Sequence, residues 1–218
     1  GLSNGSISIF DKNGNLQHNL ESAHTGATRS VDANRFKPHL ICSGGLDSEV
    51  YIWDLTNLTA DMKPMAPGPK TTPLTPVSAV SWNYQVEHIL ASGSGAQGGG
   101  VSPCTVWDLR RNKPIINVQD STGRVQCSSL AWNPNVATQI AIASEDDISP
   151  VVQLWDLRQP QSPLSSMNFF QKGVSDIQFC PFDDRLMLTS SKDNTIRVIN
   201  FGSGSDQYQC VYEQQLIS

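Results

Sequence analysis

Short runs of alternating apolar and polar residues recur along the chain, each closing on a large apolar residue followed by Asp or Asn. They are SISIFD ending at Phe10-Asp11, EVYIWD at Trp53-Asp54, CTVWD at Trp107-Asp108, VQLWD at Trp155-Asp156 and TIRVIN at Ile199-Asn200. A period of two marks a strand with one covered face. Gly, Pro, Asn and Asp bound the runs, as turns between antiparallel strands require. No window sustains the i, i+3, i+4, i+7 spacing of a helix with a buried face. The pattern predicts an all-β chain.

The closing residues follow one another at spacings of 43, 54, 48 and 44, and the shortest match the ~40–45 residue period of WD repeats. Within each period the same parts recur in order. The second unit reads as strands over Thr28–Asp32, His39–Ser43 and Glu49–Asp54, and the third as Val77–Trp82, His88–Ser92 and Cys104–Asp108. The fourth has Cys127–Trp132, Gln139–Ser144 and Val151–Asp156; the fifth has Val174–Phe179, Leu186–Ser190 and Thr195–Asn200. A weaker outer strand follows most units, as over Asn112–Val118 and Gln207–Tyr212. The first unit supplies only Ser6–Phe10 and Leu16–Leu20. Residues Met62–Pro76, with Pro64, Pro67, Pro69, Pro73 and Pro76, read as a surface loop. The expected fold is therefore a WD-repeat β-propeller over residues 1–218, with units ending near 11, 54, 108, 156 and 200. About four blades are complete and part of another is present. Propellers close with ~4–8 blades, so this reads as a fragment of a larger ring. Its open end sheets would expose apolar faces and favour self-association.

Composition narrows the chemistry. The net charge of −5, from 15 basic and 20 acidic residues, gives no electrostatic reason to expect nucleic acid, which needs clustered cations. No run approaches the ~20 apolar residues of a membrane-spanning helix. Five cysteines, an odd count with no Cys-x-x-Cys pair, argue for reduced thiols rather than a disulfide framework or a zinc site. Residues Gly93–Gly98 fit G-x-G-x-x-G, but the run leads into a strand and no Lys follows it. A dinucleotide site needs that run to open a helix. No cofactor, metal or catalytic residue is expected, and the chain is not expected to be an enzyme.

Three groups of residues remain as candidates. His24, Ser43, Asp47 and Trp53 have the spacing of the hydrogen-bonded tetrad inside WD blades, a structural device rather than a hydrolase triad. The fifth unit keeps Thr189 and Asp193 at matching positions without the His and Trp. Glu145-Asp146-Asp147 makes an acidic turn, too few oxygens for calcium but suited to a partner's basic patch. Arg110, Arg111 and Arg158 follow the Trp-Asp-Leu segments of adjacent units and are candidate protein contacts, since Arg is enriched at interfaces.

Several segments resemble the propeller of the large COPII outer-coat subunit. They are AHTGATRSVDAN, SEVYIWDLTNL, WNYQVEHILASGSG, TVWDLRRNKPII and above all LAWNPNVATQIAIASEDDISPVVQLWDLRQPQSPL. The likeness is strong from Ala23 to Leu164, with residues 136–139 (VATQ) and 144–147 (SEDD) its most specific parts. The resemblance implies a seven-bladed ring and a non-catalytic scaffold role in vesicles carrying protein from the endoplasmic reticulum to the Golgi. It implies self-association at cage vertices, contact with other coat subunits including a smaller WD-repeat partner, and no nucleic acid. Membrane association would come through the coat alone, at the cytoplasmic face of the endoplasmic reticulum and its vesicles. The alternative is a generic WD-repeat adaptor that binds a peptide or protein at the propeller face.

Overall fold

The computed structural model describes residues 1–21, 23–56, 64, 66–67, 75–95, 102–111, 113–118, 125–202 and 208–216. Their strands form five antiparallel sheets in chain order. The first is a two-stranded ribbon of β1 (Ile7–Phe10) and β2 (Leu16–Leu20). The second holds β3 (Thr28–Ala33), β4 (Leu40–Gly45), β5 (Val50–Asp54) and the two-residue β6 (Ala66–Pro67). The third holds β7 (Val77–Trp82), β8 (Ile89–Ser94), β9 (Cys104–Asp108) and β10 (Lys113–Asn117). The fourth holds β11 (Cys127–Trp132), β12 (Gln139–Ser144), β13 (Val152–Asp156) and β14 (Ser165–Met167). The fifth holds β15 (Val174–Cys180), β16 (Asp183–Ser191), β17 (Thr195–Phe201) and β18 (Tyr208–Gln215). Each four-stranded sheet is a meander whose neighbours in sequence are neighbours in space.

The sheets pack face to face through their first strands, β3 on β7, β7 on β11 and β11 on β15. The result is an all-β propeller arc, open rather than closed into a ring. Alternation along each central strand sends one set of side chains to each neighbour. In β12, Ile140 and Ile142 join the core shared with the third sheet, while Ala141 and Ala143 join the core shared with the fifth. Hence the unbroken apolar run: both faces are covered. Bulk alternates with smallness across the joint, because Ala141 and Ala143 leave room for Phe179, Met187 and Ile199. On the fifth sheet the face turned away from the arc carries Leu188 and Tyr212, both about half exposed.

One irregularity recurs in every four-stranded sheet. The first strand bulges after its first residue, between Thr28 and Ser30, Val77 and Ala79, Cys127 and Ser129, and Val174 and Asp176. The skipped residue has no cross-strand partner, and a bulge of this kind re-aims its side chain. In two sheets that residue is a serine aimed at the next blade. Ser78 Oγ donates to the Cys127 carbonyl, and Ser128 Oγ to the Val174 carbonyl at 2.6 Å.

The outer strands begin and end differently from the sequence expectation. The third sheet ends in Lys113–Asn117 and the fifth runs on to Gln215; Asn112 and Gln207 lie outside the described residues. Ala66–Pro67 pairs with Tyr51 and Ile52 where a loop is expected. The position is an edge, where the missing proline N–H costs no ladder bond. The rest of that loop, except Pro64, Thr75 and Pro76, and the glycine run beyond Gly95 lie outside the described residues.

Candidate functional site

His24, Ser43, Asp47 and Trp53 come from four different places in the second unit and meet in one hydrogen-bonded chain. His24 Nδ1 lies 2.9 and 3.1 Å from the two Asp47 oxygens, and its Nε2 lies 2.8 Å from Ser43 Oγ. The Trp53 indole N–H donates to the same Ser43 Oγ at 2.9 Å. Asp47 also accepts the backbone N–H of Thr25 at 2.9 Å. This links the loop before β3 to the turn between β4 and β5. Ser43 is fully buried, and its oxygen already takes the indole N–H. A nucleophile needs a reachable oxygen and a base free to take its proton, so the geometry suits bracing and not attack. The fit is close: a Cβ on Gly45 would stand 2.6 Å from His24 Nδ1 and 2.8 Å from Asp47 Oδ1. Gly45→Ala is therefore expected to cost about 1–3 kcal/mol, as overpacking does. The check is a chemical melt, in which an unchanged midpoint would mean the braces give way freely.

The other units use parts of this device. In the third, Trp107 Nε1 donates to Ser92 Oγ at 2.8 Å. In the fourth, Ile142 stands where Ser43 and Ser92 do in the second and third, and Trp155 turns to Gln153 Oε1 at 3.1 Å. The fifth has a different solution, missed in the sequence. Arg197, 3% exposed, donates to Ser191 Oγ at 2.8 Å, Asp193 Oδ2 at 3.1 Å and Glu213 Oε1 at 3.1 Å. Its guanidinium carbon lies 5.4 Å from the centre of the Phe170 ring. Asp193 accepts the backbone N–H of Gln171, as Asp47 accepts that of Thr25. Burial alone would raise the Asp193 carboxyl, but hydrogen bonds from Ser191, Arg197 and Thr195 outweigh it and hold it at about 2. An Arg–aromatic pair thus stands in for the His–Trp pair.

The rim arginines sit in the turns after the third strands. Arg110 folds back on Asp108, Nε to Oδ1 at 3.1 Å and Nη2 to Oδ2 at 2.8 Å. Arg158 does the same to Asp156, and Arg185 to Asp183 at the start of β16. The Arg110 hydrogen bond holds Asp108 at about 2. Half of each guanidinium fork is therefore committed within its own turn. Arg111, exposed, has no carboxylate within 4 Å among the described residues.

The acidic turn lies between β12 and β13. Asp146 Oδ1 accepts the Ile148 N–H at 3.1 Å, and Asp147 Oδ1 accepts the Gly173 N–H at 2.9 Å. Lys192 Nζ donates to the Glu145 carbonyl at 3.0 Å and stands 3.7 Å from Asp147 Oδ1. These carboxylates hold backbone, and no group of three metal-ligating side chains occurs among the described residues.

A further set of joints was legible and overlooked. Asn34, Asn83 and Asn133, at spacings of 49 and 50, each follow the first strand of a sheet. Each Oδ1 accepts two backbone N–H groups of its own turn. Asn34 Nδ2 then donates to the Glu87 carbonyl at 2.8 Å and Asn83 Nδ2 to the Ala137 carbonyl at 2.9 Å, both in the next blade. Asn133 turns instead to Gln139 of its own blade.

Comparison with known proteins agrees with this architecture. The family model "WD domain, G-beta repeat" matches residues 14–54 and 161–200. Protein transport protein Sec31A of Danio rerio is 44% identical over 215 residues, which is 96% of this chain and 16% of that protein. The Homo sapiens Sec31A is 42% identical over the same share, and SEC31 of Dictyostelium discoideum is 41% identical over 82% of the chain. The chain thus spans about a sixth of the length of the animal relatives. A solved structure described as "COPII on membranes, outer coat vertex" superposes with a TM-score of 0.80 at 28% identity, covering 94% of this chain and 55% of that one. The Myceliophthora Cps50 (Swd1) β-propeller reaches a TM-score of 0.76 at 13% identity, a likeness of fold alone. The chain has the WD-repeat propeller fold, and along nearly its whole length it is similar to the Sec31 protein transport proteins.

Proposed function

We propose that the chain is a non-catalytic scaffold element of the COPII vesicle outer coat, serving transport from the endoplasmic reticulum to the Golgi through protein–protein contact. One observation carries this: identity of 42–44% with Sec31A proteins over 96% of the chain. The superposition on an outer-coat vertex supports it. In this reading residues 1–218 are one partial propeller with units ending near 11, 54, 108, 156 and 200. Its partners are other coat subunits, including a smaller WD-repeat protein, and further copies at cage vertices. It acts at the cytoplasmic face of the endoplasmic reticulum and its vesicles, and reaches the membrane through the coat. The His24–Ser43–Asp47–Trp53 tetrad braces a blade; Arg110, Arg111, Arg158 and the turn Glu145–Asp147 are the candidate contacts.

The direct test exchanges this chain for the matching residues of a Sec31A protein and follows cargo packaging into COPII vesicles. Retained budding supports the reading, and loss of budding with a folded chimera overturns it. Within the chimera, Arg110→Glu with Arg158→Glu is expected to weaken cage assembly several-fold, measured by sedimentation and electron microscopy. Each change also breaks a local Asp pair, so Arg111→Glu, which breaks none among the described residues, is made alongside. Unchanged assembly in both variants would remove the arginine turns from the contact surface.

A further inference from the structure

A cavity of about 770 Å³ opens beside the acidic turn, within the range that holds a ligand or several side chains. Its apolar lining comes from Val125, Ile148, Pro150, Val151 and Phe170, and Gln153 contributes a polar group. Gln153 Oε1 takes the Trp155 indole N–H, so its NH2 remains as a donor suited to a peptide carbonyl. Ile148 is 89% exposed. It is also not on a loose loop: Asp146 holds its N–H, and Asp147 pins the turn to Gly173. A Cβ on Gly173 would stand 2.1 Å from the Glu145 carbonyl oxygen, so the two loops are in close backbone contact. The site is preformed, which lowers the entropic cost of binding. Asp147 lines the cavity beside Ile148, Glu145 and Asp146 precede it in the same turn, and Lys192 is the one cation paired to Asp147 among the described residues.

We infer that this cavity docks an extended basic–apolar peptide segment of a partner protein, with an aliphatic side chain in the cavity and flanking Arg or Lys residues on the acidic turn. Charge complementarity selects this occupant: an apolar wall alone would accept any hydrophobe, while the carboxylates repel an acidic one and steer a basic one in. The site goes beyond the coat reading and does not depend on it, since it is argued from the fourth blade, the loops beside it and Lys192 of the fifth.

The test uses the full chain and three fluorescein-labelled peptides of equal length in a Gly/Ser background, read by fluorescence anisotropy. One has an Arg-Leu-Arg centre, one Glu-Leu-Glu and one Arg-Ser-Arg. Arg-Leu-Arg is expected to bind saturably at one site, and each of the others about tenfold or more weaker, the equivalent of ~1.4 kcal/mol. Ile148→Ser, and separately Asp146→Asn with Asp147→Asn, should each weaken Arg-Leu-Arg by a similar factor. The Asn variants keep the acceptors for the Ile148 and Gly173 N–H groups, so the melting midpoint should stay unchanged. Absence of Arg-Leu-Arg binding, equal binding of all three peptides, or full affinity in either variant would overturn the proposal.

Discussion

Trp132→Ala is expected to lower the unfolding free energy by about 3–5 kcal/mol, the usual cost of emptying a large buried aromatic site. Trp132 is fully buried in the core between the third and fourth sheets. Its indole N–H donates to the Ser81 carbonyl of the preceding blade at 3.0 Å. Trp82 holds the same place one blade earlier, yet its Nε1 has no hydrogen-bond partner among the described residues. The two can therefore separate packing from hydrogen bonding. Trp132→Phe should cost about 1 kcal/mol more than Trp82→Phe, because only the former gives up a buried hydrogen bond. Urea unfolding followed by circular dichroism makes the comparison. Equal costs would show that packing alone sets the strength of the joint.

Arg197→Met should be as damaging, by about 3–5 kcal/mol, because it leaves Asp193 charged and buried without its cation. Adding Asp193→Asn should restore part of the loss, and a double variant no better than the single would reject the pairing account. The pH dependence has a definite sign. The folded carboxyl, at about 2, lies below its ordinary value of ~3.9. Its contribution is thus complete above ~4 and lost as pH falls through about 2. Melts of the unaltered chain between those pH values should show the midpoint falling with acid, and the Asp193→Asn variant should show a shallower fall.

The strands and their grouping were legible because a period of two and a repeat of forty-odd residues both survive in the linear pattern. The tetrad was legible for a similar reason: Ser43, Asp47 and Trp53 stand at fixed offsets within one unit. Arg197 was not, because it performs the bracing with different side-chain types. A reading by residue identity sees only that His and Trp are gone. What it can detect is Asp193 four residues before a basic residue inside a strand, where a lone cation needs a partner. The Asn34, Asn83 and Asn133 series was visible as a spacing and passed over, since asparagine after a strand reads as an ordinary turn residue. The cavity beside Ile148 had no linear signature. Its walls come from the β12–β13 turn and the loop after β14, and only packing puts Phe170 near Val151.

The bulge serines have a consequence for how such a chain can change over time. Ser78 and Ser128 belong to the earlier blade of each pair, and the group they hold in the later blade is a main-chain carbonyl. Asn34 and Asn83 follow the same rule. Every one of these sockets is presented by peptide backbone, which all residue types share. A unit can therefore drift in side-chain composition, as the fifth has done around Arg197, and still be grasped by its predecessor. It can also be copied and set down after a different unit without a matching change in the receiver. The coupling through these four side chains runs one way along the chain, like identical hooks meeting identical eyes, and as far as they decide it the order of blades is a matter of inheritance more than of recognition.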